Sequence, residues 1–329
     1  MTRTLIASSE HFALKAPFRI SRGVKDAADV VSVELRAGGV AGRGECVPYL
    51  RYGETPESVL QKIESVRGLI EAGGDRGALQ AALPAGAARN ALDCALWDLE
   101  AKQAGVGAAR LAGVPEATAP IITAVTISLD EPARMAAAAA VLAAPLLKVK
   151  VNAQAPLAAV EAVRKSAPKA RLIVDPNESW PVELLREILP ALAALEVALI
   201  EQPLPAASDD ALAQIDPVVP ICADESAHTS ADLARLAGRY QAVNIKLDKT
   251  GGLTEALRMK AQARALGLQL MIGCMVSSSL SIAPALLLAQ DADFVDLDGP
   301  WWLKQDRAAA VAIEDGVLSR GASRWGLPA

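Results

Sequence analysis

From about residue 119 the chain repeats one unit, a short β-branched or apolar run followed by an alanine- and leucine-rich stretch with apolar residues at helical spacing. The runs are "PIITAVTISL", "LLKVKVN", "RLIVDPN", "VALIEQP", "PICADES", "AVNIKLD", "LQLMIGCM" and "FVDLDG". One residue near the end of each gives Val125, Lys148, Asp175, Glu201, Asp224, Lys246, Gly273 and Asp296, separated by 23, 27, 26, 23, 22, 27 and 23 residues. A strand, a turn and a crossover helix take up about that length, and strands alternating with helices imply a parallel sheet. Eight such strands are the number that closes a (β/α)8-type barrel. An open doubly wound sheet is disfavoured, because no Gly-rich phosphate fingerprint follows the first strand.

The segment before residue 119 has another texture. "TLIASSEHFALKAPFRI" and "VVSVELRAGGVAGRGECV" read as antiparallel strands, with Gly-Gly turning the second. "TPESVLQKIESVRGLIEAG" and "PAGAARNALDCALWDLEAKQAG" read as helices, the first with Thr55 as N-cap and Pro56 at the first helical position. The expected organisation is an α+β capping domain over 1–118, a barrel over 119–299 that carries the site, and a segment over 300–329 that returns to the cap.

A net charge of −5 offers no basic field for a polyanion, so nucleic acid is excluded as a partner. Four cysteines lie far apart without metal-type spacing, which suits a reducing cytoplasm. The first residues lack the apolar core of a signal peptide. The longest apolar run, "MAAAAAVLAAPLLKVKV", is broken by proline and lysine and is too short to span a bilayer. The expectation is a cytoplasmic protein without membrane partners.

Charged residues collect where the repeat units end. Lys148 and Lys150 stand at i and i+2, on one face of a strand that should otherwise be apolar throughout. Edge strands often carry lysines, yet a closed barrel has no edges. Asp175, Glu201 and Asp224 end three successive strands, Lys246 ends the sixth, and Asp296 and Asp298 form a DxD on the eighth. Any one acid after a strand is most simply a helix N-cap; three in succession, with lysines on strands two and six, point to one cavity at the barrel mouth. Three carboxylates are hard oxygen ligands that suit Mg²⁺. A lysine acts as a base only when its pKa falls, and a nearby dication, a second ammonium and desolvation all push it down. This combination supports removal of a weakly acidic proton beside a carboxylate.

With these motifs in place the chain resembles the enolase superfamily in its muconate-lactonizing-enzyme-like branch, and within it the dipeptide epimerases. The resemblance spans nearly the whole chain, through "PFRISRG", "GRGECVPYLRYGE", "LLKVKV", "LIVDPNESW", "EQPLP", "PICADES", "NIKLDKTGGLTEA", "IGCMVSSS" and "DLDGP". It implies a modified (β/α)7β TIM barrel with an N-terminal α+β capping domain. It implies that Asp175, Glu201 and Asp224 ligate one Mg²⁺ per subunit, with Mn²⁺ as a substitute. Lys150 and Lys246 would be bases on opposite faces of the substrate α-carbon, and Lys148 would stabilise the ene-diolate. The reaction implied is a 1,1-proton transfer that epimerises the C-terminal residue of a dipeptide, L-Ala-D/L-Glu first among them, in murein peptide recycling.

In the same reading Asp296 and Asp298 would receive the dipeptide ammonium, and an arginine would meet the glutamate side chain. Arg22 matches that position, with Arg19 three residues away on the same loop. Thr126 and Asn177 would line the substrate pocket. Pro176 stands where a small residue is expected, with Asp175 and Asn177 still facing inward. Strand alternation would turn Glu225 away from Asp224. The family often assembles into homo-oligomers.

A cycloisomerase or acid-sugar dehydratase would use the same lysines, but an anionic DxD would repel a purely acidic substrate. A Schiff base on a sixth-strand lysine would leave three carboxylates unemployed. A non-catalytic barrel would be expected to have lost some of these groups.

Overall fold

The computed structural model describes residues 3–116 and 119–329. The boundary drawn after residue 118 therefore falls at residues outside those described, as do the first two residues. Three strands open the chain: β1 (Thr4–Ile20), β2 (Gly23–Ala37) and β3 (Val40–Cys46), an antiparallel meander. The β1–β2 turn places Arg22 at the hairpin tip. Gly38 and Gly39, at φ 59° and 82°, turn β2 into β3 in a conformation that costs glycine nothing.

Helices α1 (Pro56–Ser65), α2 (Arg67–Glu71), α3 (Arg76–Ala82) and α4 (Ala87–Ala104) cover one face of this sheet. Thr55 caps α1 as expected: its hydroxyl accepts from Ser58 N–H, and the Ser58 hydroxyl accepts from Thr55 N–H. The single helix read from "TPESVLQKIESVRGLIEAG" is two, because Val66 leaves helical geometry at φ −110° between α1 and α2. Helix α4 lies so close to β3 that a Cβ on Gly44 would stand 2.1 Å from Ala91 O, and one on Gly42 2.3 Å from Ala95 O. Two glycines in "VAGRGEC" thus seat an alanine-rich helix directly on the strand.

After α5 (Ala108–Ala112) and the short β4 (Ile121–Ile122) the repeat begins. It runs β5 (Val125–Ile127), α6 (Pro132–Ala140), β6 (Leu146–Lys150), α7 (Pro156–Ser166), β7 (Arg171–Asp175), α8 (Val182–Ala194) and β8 (Val197–Glu201). It continues through β9 (Ile221–Ala223), α9 (Leu233–Leu236), β10 (Ala242–Lys246), α10 (Leu247–Thr250), α11 (Leu253–Ala265), β11 (Gln269–Gly273), α12 (Ser279–Ala289) and β12 (Phe294–Asp296). The β8–β9 crossover is a 3-10 segment, Ala206–Gln214, instead of an α-helix. The eight strands β5–β12 pair in parallel in chain order. Ala124 N–H donates to Val295 O at 2.8 Å, which joins the first strand to the last and closes the barrel. This is the α/β barrel with an N-terminal cap that the repeat implies.

Strand alternation sorts the side chains into two sets. One residue from each strand or its start, Ala124, Leu146, Ile173, Leu199, Cys222, Ala242, Met271 and Phe294, fills the bottom of the barrel. The alternate residues, such as Leu147, Val149, Leu172, Val174 and Ile200, pack outward against the helices. On β6 the inward series is therefore Leu146, Lys148, Lys150, rising from an apolar plug to the mouth. The polar layers stand above the plug, at the C-terminal strand ends.

The last strands, β13 (Ala312–Glu314) and β14 (Val317–Ser319), form an antiparallel pair, and β14 also pairs with β4. Beyond them the Trp325 indole donates to Arg43 O and Cys94 O at 2.9 and 3.2 Å, and Gly326 N–H donates to Asp98 Oδ1 at 2.7 Å. Among the described residues no helix is long and apolar enough to cross a membrane.

Candidate active site

A cavity of about 790 Å³ lies between the barrel mouth and the cap. Its floor and walls carry Lys148, Lys150, Lys246, Asp224, Asp296 and Asp298; the cap adds Phe18, Arg22, Tyr49 and Tyr52. Thr126 and Asn177 also line it. Asp175 and Glu201 are fully buried beneath, at the ends of β7 and β8.

Ion pairs bind the floor together. Lys148 Nζ lies 2.7 Å from Glu201 Oε2, 2.7 Å from Asp296 Oδ2 and 3.1 Å from Asp175 Oδ2. Burial disfavours its charge, but Asp296, Glu201 and Asp175 outweigh that and hold it well above the ordinary lysine value. Lys150 Nζ donates to Asp175 Oδ2 at 2.5 Å and to Asn177 Oδ1 at 3.2 Å. Lys246 Nζ donates to Asp224 Oδ2 at 2.7 Å. Burial opposes the Lys246 charge too, and Asp224 with Glu201 reverses the balance. The expected depression is not found for Lys148 or Lys246: the carboxylates turned to their ammonium groups prevail over burial.

The three acids differ accordingly. Burial raises the Asp175 carboxyl, but Lys150 and Lys148 bring it below the ordinary aspartate value. Lys246, Lys249 and Lys148 likewise hold Asp224 well below the ordinary aspartate value, again against burial. Glu201 moves the other way, pushed up by burial and by Asp175. Its Oε2 is buried and, although near Lys148, lies outside hydrogen-bond alignment.

Among the described residues no three His, Cys, Asp or Glu side chains stand close enough together to hold an ion as placed, because lysines sit between the acids. The donor set nevertheless fits Mg²⁺: three buried carboxylates on consecutive strand ends, all hard oxygens, one with an unaligned oxygen.

On the opposite wall, Asp298 Oδ2 accepts from Thr126 N–H at 2.8 Å and from the Trp302 indole at 3.3 Å. Burial and Asp296 raise its pKa. Asp296 Oδ1 is buried without a partner. The Pro176 departure leaves both neighbours facing inward, as expected: Asp175 Oδ1 accepts from Asn177 N–H at 2.9 Å, with Asn177 itself at φ 47°.

Arg22 enters from the hairpin tip and Arg19 does not. The Arg22 guanidinium reaches Glu225 Oε1 at 2.6 Å, Glu178 Oε2 at 3.1 Å, Asn177 O at 2.9 Å and the Tyr49 hydroxyl at 3.3 Å. Arg19 is exposed and pairs loosely with Asp130 at 3.9 Å. Glu225 corrects the alternation argument. Strand β9 ends at Ala223, so Asp224 and Glu225 lie beyond the pleat and both line the cavity.

Sequence reasoning also passed over Lys249, which is wholly buried and donates to Asp224 Oδ1 at 2.6 Å. Its signal was the i, i+3 pair with Lys246 in "NIKLDKTGG". Tyr52 and Trp302 were missed as well, and nothing local to either marks it.

Residues 2–113 match the N-terminal domain model of mandelate racemase and muconate lactonizing enzyme, and residues 131–323 match the enolase C-terminal domain-like model. The L-Ala-D/L-Glu epimerase of Escherichia coli (strain K12) is 49% identical over 96% of this chain and 99% of its own length. An enolase family member from Agrobacterium tumefaciens, with homology to dipeptide epimerases and solved with bound sodium and L-Ala-L-Glu, superposes with a TM-score of 0.94. It is 50% identical and covers 96% of this chain and 97% of its own. A dipeptide epimerase from Enterococcus faecalis V583, complexed with Mg and L-Leu-L-Tyr, gives a TM-score of 0.90 at 29% identity, covering 99% of both chains. A cap and barrel matched along both parts, with acids and lysines at the same mouth, leave one assignment: the chain belongs to the mandelate racemase and muconate lactonizing enzyme family of the enolase superfamily.

Proposed function

We propose that this protein epimerises the C-terminal residue of a dipeptide, L-Ala-D/L-Glu first among them, by moving the α-proton between Lys150 and Lys246. One observation carries the reading. Lys150 ends β6 and Lys246 ends β10, four strands apart in a closed ring of eight, so their ammonium groups face each other across the mouth. A base on each side of one carbon is what a 1,1-proton transfer needs.

Lys148 lies on the floor between them, placed to stabilise negative charge on the substrate carboxylate as the α-proton leaves. Asp175, Glu201 and Asp224 would hold Mg²⁺, which supplies positive charge to the substrate carboxylate and takes up the charge of the three acids. As a neutral amine Lys150 accepts the α-proton on Nζ; Lys246, as an ammonium, returns a proton to the opposite face. The reverse direction exchanges the roles. The unpartnered Asp296 Oδ1 and the Asp298 carboxylate line the cavity and would receive the dipeptide ammonium. Arg22 offers a fork to an acidic second side chain. The relatives whose names specify L-Ala-D/L-Glu or carry L-Ala-L-Glu support that dipeptide as substrate.

In this reading the chain divides into a cap over 1–118, a barrel over 119–299 and a returning segment over 300–329. It works in the cytoplasm on dipeptides released from murein.

Proton NMR of L-Ala-L-Glu with the protein in D₂O tests the proposal. Loss of the glutamate α-proton signal and growth of the D-epimer, both stopped by EDTA and restored by Mg²⁺, are expected. Absence of exchange on this and on other dipeptides would sink it.

A further inference from the structure

Each of the three acids has one oxygen held by a group other than Lys148, Lys150 and Lys246. Asp175 Oδ1 accepts from Asn177 N–H at 2.9 Å, Glu201 Oε1 from Asn244 Nδ2 at 2.8 Å, and Asp224 Oδ1 from Lys249 Nζ at 2.6 Å. The other oxygens, Asp175 Oδ2, Glu201 Oε2 and Asp224 Oδ2, are the ones that face Lys148, Lys150 and Lys246. The pattern recurs on three consecutive strands with three unrelated donors.

We propose that Lys249 and Asn244 are positioning residues that each pin one carboxylate oxygen, so that Asp224 and Glu201 present a single oxygen apiece to a divalent cation. This rests on the reading that these acids hold Mg²⁺. Lys249 is wholly buried and spends all three donors locally: on Asp224 Oδ1, on Asp224 O at 2.5 Å and on Asn244 O at 3.0 Å. It cannot turn to substrate without abandoning those oxygens. Asn244, from the middle of β10, reaches past the floor to Glu201. Gly273 on the neighbouring strand makes room for it: a Cβ there would stand 2.5 Å from Asn244 Oδ1. Groups behind metal ligands commonly fix ligand orientation and set affinity in this way.

Calorimetric titration of Mg²⁺ into the full chain, without dipeptide, is the test. Positioning predicts that Lys249→Met weakens Mg²⁺ binding about 10- to 100-fold. Simple charge repulsion predicts tighter binding, because the substitution removes a cation beside a ligand. Asn244→Ala changes no charge and is expected to weaken binding over the same range. A role confined to folding would lower the melting temperature and leave the Mg²⁺ Kd unchanged. Unchanged or tighter binding by a folded Lys249→Met overturns the assignment of Lys249; unchanged binding by Asn244→Ala overturns that of Asn244. Should Lys249→Met not fold, Lys249→Gln, which lacks the charge and the third donor, takes its place, and native or tighter Mg²⁺ binding by it overturns the assignment of Lys249. If the native chain itself binds no Mg²⁺, the reading of the three acids has failed instead, so the two failures are distinct.

Discussion

Arg22 and Glu225 meet at 2.6 Å, an arginine from the cap's first hairpin against a carboxylate just past the fifth barrel strand. Burial and the neighbouring Asp224 raise the Glu225 pKa, and Arg22 opposes them. If Arg22 meets the substrate as proposed, an acidic side chain would share that guanidinium with a resident glutamate. Arg22→Met is expected to lower kcat/KM for L-Ala-L-Glu by about 10- to 100-fold while sparing L-Ala-L-Leu. Glu225→Gln should lower KM for L-Ala-L-Glu alone. Equal effects on the two dipeptides in a steady-state assay would assign side-chain recognition elsewhere.

Opposed bases make each lysine separately testable. Lys150→Ala and Lys246→Ala should each abolish epimerisation, a loss of at least about 10³-fold in kcat. Each should retain exchange of the α-proton with solvent on one epimer, and the retained epimer should differ between the two variants. NMR in D₂O with the separate L,L and L,D dipeptides reads this directly. Interconversion by either variant would remove the two-base assignment.

Asp298 offers an ammonium its partner only when ionised, and burial with Asp296 raises its pKa above the ordinary aspartate value. As pH falls through that raised value the pocket loses charge, so KM for dipeptides should rise at a pH where an ordinary aspartate is still ionised. Asp298→Asn should remove this dependence. It should also weaken dipeptide binding about 10-fold or more relative to an N-acylated analogue. A pH profile of KM that the substitution leaves unchanged would contradict the ammonium site.

Asp93 joins cap to barrel away from the chemistry, accepting from Thr254 N–H and Oγ1 at the start of α11 at 2.9 and 2.6 Å. Burial raises its pKa from 3.8 to about 6, against the hydrogen bonds from Thr254. An acid with a raised folded-state value is neutral in the native chain at a pH where the unfolded chain has already released the proton. Its penalty is absent below about pH 4, grows between pH 4 and 6, and is complete above, at on the order of 3 kcal/mol. Denaturation of native protein and Asp93→Asn across that range should show native stability falling relative to the variant as pH rises. A constant difference would mean that Asp93 keeps its ordinary pKa.

Periodicity made the barrel legible because each strand carries its own inward series: Leu146, Lys148 and Lys150 could be placed from spacing alone. The three acids and Lys246 followed for the same reason, each ending a run. What escaped lies where the periodic rule stops. Glu225 stands two residues beyond the end of β9, so alternation no longer sets its direction. Lys249 sits on the short α10, and its target, Asp224, is 25 residues away. Tyr52 and Trp302 reach the site across the cap and the returning segment, contacts made only by tertiary folding. The β8–β9 crossover read as helical and is 3-10, since its nine residues form no continuous α-helix.

The placement of Lys150 and Lys246 four strands apart also limits what this catalyst can decide. On opposite walls of one closed ring, they would, in the proposed reading, serve the two faces of a substrate carbon that need neither turn over nor leave. Like any catalyst, such a protein would speed both directions together, and the ratio of the two epimers belongs to the dipeptide. Any net flow toward one hand must be drawn by a neighbouring reaction that consumes it.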